Sequence, residues 1–401
     1  MDFRFSEAEE AWRKEIKEFF AREVTEEFLD KLTQEQGGWT NPHSQELYVK
    51  MADRGWLGLS WPKEYGGQER SYTEQAIFSE EAAKGRCPAG TLNVIGNSVH
   101  FLGGLLLASG NENQKKEWLS LIARGQLRSC QGLSEPNAGS DLASVELRAI
   151  EKGDEYVLNG TKIYSNAHNT THIFTVTRTD TEVPKHRGIS LLLVDLSSPG
   201  ITISPLITCG GRRRNEVAFE DVEVPKENMV GDKNQGWYVL ATAMGFERTQ
   251  SIGVAKLESS FAELVKCVKE IKYEGRPLSQ IPAVRSALAN IATEIQIAWL
   301  LSYRVAWLQG QGQSVGAKEA PMAKLSRSEV EERFANTVTD VLGQYGQLEK
   351  WGEDKKRIPL HGEAATLYRD SRTDQIAAGT SEVQLNIIAQ RGLGLPRAPK
   401  K

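Results

Sequence analysis

Three short stretches carry residue types that could do chemistry. The first, Leu133-Ser134-Glu135-Pro136-Asn137-Ala138-Gly139-Ser140-Asp141, mixes hydroxyls, acids and turn formers. An irregular segment of this kind leaving a strand offers free N–H and hydroxyl donors, and it is equally the composition of a surface turn. The second, Gly379-Thr380-Ser381-Glu382-Val383-Gln384, opens a helix. Thr380 or Ser381 can cap it, and a helix start presents unpaired N–H groups and a positive dipole end to phosphate or ribose oxygens. The third, Gly245-Phe246-Glu247-Arg248-Thr249, sets a carboxylate beside a guanidinium; Glu247 could accept a proton, or be a solvated acid paired with Arg248 or Arg304. Arg212-Arg213-Arg214 could meet phosphates through charge-assisted bonds or remain a solvated loop. His168 and His172 are four apart in a strand or loop context, where that spacing does not put both on one face, so no metal site is expected. No Gly-x-Gly-x-x-Gly follows a strand and no nucleophile elbow occurs, which leaves a nicotinamide enzyme or a hydrolase without support.

The elements that must position these residues divide the chain. Its 401 residues, 39% hydrophobic and 25% charged, suffice for two or three domains with buried cores. A net charge of −4 argues against a nucleic-acid partner, whose phosphates need a Lys/Arg surplus. The acidic start, Met1-Asp2-Phe3-Arg4-Phe5-Ser6-Glu7, lacks the order of a secretory signal. No apolar run approaches the roughly 18 residues that span a bilayer, so no membrane partner and a cytoplasmic location are expected. Cys87, Cys130, Cys209 and Cys267 lie far apart without CxxC spacing, which fits reduced thiols.

Residues 6–125 read as helical, with Trp12, Ile16, Phe19 and Phe20 at helical spacing. Then β-prone runs take over: 156–164, with Asn159-Gly160 as a hairpin signal, followed by 172–178, 189–196, 201–206 and 216–224. Helical patterns return over 238–273, 282–310 and 317–342, with a last helix after Gly379. The expected fold class is α+β: an N-terminal helical domain (1–126), a middle β-barrel-like domain (127–232) and a C-terminal four-helix bundle (233–401).

In this order and spacing, the first two motifs resemble the acyl-CoA dehydrogenase family. The likeness runs from Trp61-Pro62-Lys63-Glu64-Tyr65-Gly66-Gly67, through Val222-Glu223-Val224-Pro225, to Leu393-Gly394-Leu395-Pro396-Arg397. It implies FAD bound between the β domain and the C-terminal helices, an acyl-CoA thioester as substrate, and electron-transferring flavoprotein as the redox partner. It also implies an oligomer: a homodimer, a homotetramer, or a heterotetramer with a related subunit. By family match, Gln131, Leu133 and Ser134 approach the flavin ring, and Ser140 lies at the cofactor and on the pantetheine side of the thioester. Tyr164, Ser165 and Asn166 stand where relatives carry an aromatic residue followed by polar groups. Thr380 and Glu382, with Gly343 and Gly346 of a partly matching Gln- and Gly-rich turn, are the remaining cofactor positions.

Desaturation of a thioester needs a carboxylate to take the α-proton while the carbonyl is hydrogen-bonded. Many relatives place that Glu just before the final Gly-Thr, where this chain has Ala378. A second arrangement, in isovaleryl-type and long-chain-type members, places it on a C-domain helix before an Arg, which makes Glu247 the expected base. Met244, Arg248, Ala377 and Gly379 are then the substrate neighbours, and the Ala378 backbone N–H still donates to the thioester oxygen. A missing Glu side chain beside Ala377 leaves space for branched, cyclic or steroid-derived acyl groups. Lys272-Tyr273-Glu274-Gly275-Arg276-Pro277 lacks the family's Arg-x-x-Phe-Gly element, whose Arg meets the FAD pyrophosphate of a neighbouring subunit. A structural or flavin-binding subunit of a heteromer, and a flavin monooxygenase on the same scaffold, are the alternatives.

Overall fold

The computed structural model describes residues 4–34, 42–247, 252–313, 315–349 and 358–397. The chain forms two compact units, one of residues 1–75, 85–208 and 213–247, the other of residues 76–84, 209–212 and 248–401.

The first unit opens with helix Glu7–Glu23, started by a reciprocal capping box between Ser6 and Glu9 and buried through Trp12, Ile16, Phe19 and Phe20, as the spacing predicts. Its sheet contains β1 (Ser129–Gly132), β2 (Arg148–Lys152), β3 (Glu155–Ser165), β4 (His172–Arg178), β5 (Ile189–Asp195), β6 (Ile201–Ile207) and β7 (Arg213–Pro225). The order is β1-β4-β2-β3-β7-β6, with β5 paired to β4. β1 and β4 run parallel, Gln131 opposite Phe174. Cys130, Leu158, Ile173, Leu192, Val217 and Phe219 are among the buried residues of the sheet's core. Helix Ala89–Ser109 touches this sheet edge: Phe101 meets Phe174 edge to face at 5.7 Å, and the Ser98 hydroxyl accepts from the Ser129 N–H at 2.8 Å.

In the second unit, helices Ile252–Glu270, Pro282–Gly310, Glu319–Leu342 and Ala364–Ile376 pack around Val254, Leu264, Ile295, Phe334, Val338 and Ala364, the four-helix arrangement expected. The Tyr303 hydroxyl donates to the buried Glu80 carboxylate.

Three local expectations are corrected. Asn159-Gly160 is no hairpin. β3 runs unbroken through it, because β3 pairs with β2 on one side and β7 on the other. Gly160 sits at a register shift with φ +145, where a Cβ would come within 2.9 Å of the Leu147 Cα; the β2–β3 turn instead uses Gly153 and Asp154. The single helix expected over 238–273 is two, Gly236–Glu247 and Ile252–Glu270, and Lys272–Tyr273 belongs to a short hairpin with Arg276–Pro277. Helix Ala89–Ser109 is long and apolar enough to cross a membrane by length and composition, against the sequence expectation, yet 72% of its most apolar window is buried inside the protein.

Gly67, in the first of the resembling motifs, tests this packing. A Cβ there would fall 2.1 Å from the Trp61 carbonyl oxygen, whereas one at Gly139 meets nothing within 4 Å. We expect Gly67→Ala to lower the unfolding free energy by roughly 1–3 kcal/mol, the usual range for overpacking, and Gly139→Ala to leave the denaturant midpoint unchanged.

Candidate active site

In the first unit, β1 ends at Gly132, which approaches β4 so closely that a Cβ would lie 2.8 Å from Ile173 Cδ1. Leu133 and Ser134 follow, both half-buried. The Ile163 N–H donates to the Ser134 carbonyl at 2.9 Å, which joins this segment to β3. Among the described residues, the N–H and hydroxyl of Ser134 have no hydrogen-bond partner.

The segment is anchored by charge. Glu135 is buried and accepts from the backbone N–H groups of Glu146 (2.6 Å) and Leu147 (3.0 Å). The fully buried Lys162 donates to Glu135 at 2.7 Å and to the Leu133 carbonyl at 3.1 Å. Burial pushes the Lys162 ammonium down to about 8, and the adjacent Glu135 carboxylate works against that shift.

Two residues beyond Lys162, Tyr164 adopts a left-handed backbone, φ +64, within a second register shift between Lys162 and Ser165. The residue is 58% exposed. Ser165 is buried, with its hydroxyl 3.5 Å from the Asn215 carbonyl, and Asn166 Oδ1 accepts from Arg214. Gln131 lies in β1, and Ser140 is exposed beyond Gly139. A flavin ring needs N–H and O–H donors for its polar edge and a flat neighbour for its face. The unpartnered Ser134 donors and the outward Tyr164 ring, on two segments joined by one backbone bond, fit that requirement.

In the second unit, the Ala377 N–H closes helix Ala364–Ile376 by donating to Thr373 at 2.8 Å. Ala378 and Gly379 are both left-handed, φ +53 and +83. Thr380, rather than Ser381, is the cap of helix Ser381–Ile387: its hydroxyl accepts from the Val383 N–H at 3.2 Å. Glu382 is exposed in the first turn. Gly343 (φ +54) and the buried Gly346 belong to the short turn Gly343–Gln347.

Met244 and Glu247 lie in helix Gly236–Glu247, but their side chains fall outside the described residues, as does Arg248 altogether. The arginine triplet is divided: Arg212 pairs with Asp370 and Arg214 with Asn166. His168 and His172 have separate partners, Asn215 at 2.5 Å and Thr171 at 2.8 Å.

Comparison with known proteins decides what this scaffold is. Residues 6–126, 130–222 and 234–393 match, in turn, the N-terminal, middle and C-terminal domains of acyl-CoA dehydrogenases. The acyl-CoA dehydrogenase FadE26 of Mycobacterium tuberculosis is 32% identical over 99% of this chain and 100% of its own. The chain belongs to the acyl-CoA dehydrogenase family. Acyl-CoA dehydrogenases are FAD-dependent oxidoreductases, and this chain is one of them. Among solved structures, the ChsE4-ChsE5 complex from Mycobacterium tuberculosis matches with a TM-score of 0.87 at 30% identity, over 99% of this chain and 100% of that one. The Tcur3481-Tcur3483 steroid ACAD matches with a TM-score of 0.88, also at 30% identity, over 99% and 100%.

Sequence reasoning about this acyl-CoA dehydrogenase passed over Lys162 and Glu135. The available signal was a lysine among inward-facing apolar positions of a strand, together with an acid inside the donor-rich motif. Removing one partner of a buried ion pair strands the other charge, at a cost of roughly 3–5 kcal/mol. We expect Lys162→Met and Glu135→Leu each to cost about that much, and the double variant to cost clearly less than the sum. Denaturant unfolding of the four proteins measures the difference; additive losses would show that the two charges are not coupled.

Proposed function

We propose that this chain catalyses α,β-desaturation of a bulky acyl-CoA, branched, cyclic or steroid-derived, with Glu247 as the base. The observation that carries the reading is the turn at Ala378: exposed, left-handed, and bearing a methyl group where straight-chain relatives carry their carboxylate. Bound FAD supplies the acceptor for the hydride leaving Cβ. The chain's own residues do the rest: Glu247 takes the α-proton, and the Ala378 N–H donates to the thioester oxygen, stabilising the negative charge that develops there. Ser134 and Tyr164 hold the flavin by the donors and ring described above. Small side chains at 377 and 378 leave room beside the reacting carbons, and the likeness to a steroid ACAD supports a bulky acyl group. Electron-transferring flavoprotein is the proposed reoxidant.

We also propose a heteromer with a related subunit. Aligned on Gly275, the positions of the family's pyrophosphate-binding Arg and Phe are held by Ile271 and Glu274. Ile271 packs against the helical core, and Glu274 (φ +50) occupies the tip of the 272–277 hairpin. Neither can supply the cation. Ile297, Leu300 and Trp307 are 40–48% exposed and fall on one side of helix Pro282–Gly310, which supports an associating surface. The likeness to two-component assemblies agrees.

Glu247→Gln preserves size but cannot accept a proton. Anaerobic bleaching of the flavin by a good acyl-CoA should slow by more than the ~10²–10⁴ usual for one acid–base group, with acyl-CoA binding retained; bleaching at the parental rate removes Glu247 as base. The heteromer reading predicts that the chain purified alone carries fewer than one FAD per chain, measured from flavin absorbance and light scattering. One tightly held FAD per chain in a homo-oligomer rejects it.

A further inference from the structure

The turn at Ala378 and Gly379 is held by two residues outside the motif's obvious chemistry. Gln384 is fully buried, and its Nε2 donates to the carbonyls of both Ala378 (3.0 Å) and Gly379 (3.2 Å). Lys324 Nζ, from helix Glu319–Leu342, donates to the Gly379 carbonyl at 2.8 Å. A left-handed alanine costs about 1–2 kcal/mol and persists only where its surroundings over-determine it. Here the three bonds to consecutive carbonyls do so. The glycine next door is part of the same device, since a Cβ on Gly379 would lie 2.6 Å from Gln384 Nε2.

These bonds fix more than the carbonyls. In a planar trans peptide the C=O and N–H point opposite ways. Drawing the Ala378 oxygen toward Gln384 therefore turns the Gly379 N–H away from it. Among the described residues, the N–H groups of both Ala378 and Gly379 have no partner. Ala378 itself is exposed. The turn thus offers two donors, one of which, the Gly379 N–H, is preset by the bond from Gln384 to the Ala378 carbonyl; both are backed by the Lys324 ammonium, whose charge also favours an anionic oxygen.

We propose that Gln384, assisted by Lys324, is a positioning residue that holds the Ala378-Gly379 turn so that its backbone amides polarise the thioester carbonyl. This inference rests on the assignment of that turn to the thioester. It makes the polarisation depend on a side chain that does not touch the substrate.

A chromophoric thioester, 4-hydroxycinnamoyl-CoA, reads carbonyl polarisation directly as a shift of its absorption to longer wavelength on binding the FAD-loaded protein. The parent protein should show the shift, Gln384→Leu should retain less than half of it, and thermal unfolding and thioester affinity should change little. Lys324→Met should reduce the shift while Lys324→Arg, which keeps a donor, should restore it; this pair serves if Gln384→Leu does not fold. Turnover should fall in kcat more than in KM, by up to the ~10²–10³-fold seen when one oxyanion donor is removed. A full shift in Gln384→Leu, or in Lys324→Met where the first variant does not fold, overturns the positioning role. Absence of a shift in the parent overturns the assignment of the turn to the thioester.

Discussion

An ammonium group with no access to water ties together the strands and the motif segment of the first unit. Lys162 sits where β3 would ordinarily place an apolar side chain, and its charge is met by Glu135 and the Leu133 carbonyl. Glu135 in turn gathers the amides of Glu146 and Leu147. A single ion pair thereby binds together the strand bearing Tyr164, the segment bearing Ser134, and the chain entering β2. Such a pair is a poor source of net stability, because desolvating both charges consumes most of their attraction. Its value lies in geometry: with one partner absent, the other is left buried and uncompensated, so alternative arrangements of the Leu133-Ser134 segment are costly.

Backbone strain follows the same division of labour. Tyr164 and Ala378 are among the few non-glycine residues with positive φ, and both belong to motifs the sequence had singled out. Tyr164 lies between the buried Lys162 and Ser165, and the carbonyls of Ala378 and Gly379 are held by Gln384 and Lys324. Residues in sparsely populated conformations collect at functional sites where the surrounding structure compels them. In this chain the neighbouring groups are polar side chains, buried for Lys162, Ser165 and Gln384 and half-buried for Lys324, and they sit one or two positions from the strained residue or on a separate helix.

What was legible in the sequence depended on how local the cause was. The amphipathic spacing of Trp12, Ile16, Phe19 and Phe20 set the first helix, and β-prone runs set β4 through β7 within a few residues, β4 and β5 as continuous buried runs and β7 with partial alternation. Asn159-Gly160 misled because turn propensity was outweighed by pairing with two neighbouring strands, a tertiary effect. Helix Ala89–Ser109 lay within the stretch read as helical, but its apolar length went unseen because Asn93, Asn97, Ser98 and His100 interrupt the run. The donor-rich motif and the Gly-Thr cap were visible as chemistry. Their supports were not, since Lys162 lies 27 residues from Glu135 and Lys324 lies 55 from Gly379, and no spacing rule joins residues so far apart.

The irregularity in β3 also constrains how the chain could change in length. Side chains along a regular strand alternate, so residues three apart face opposite ways. Lys162 and Ser165 are three apart and both buried, which is consistent only because the register shift between them contributes one residue that is not counted in the alternation. Deleting a single residue here would restore a regular ladder and bring the next inward position to bear on the wrong side chain, withdrawing the aromatic ring from the surface. Point substitutions at Tyr164 change the side chain presented at this position; a one-residue gap would change which part of the chain is presented.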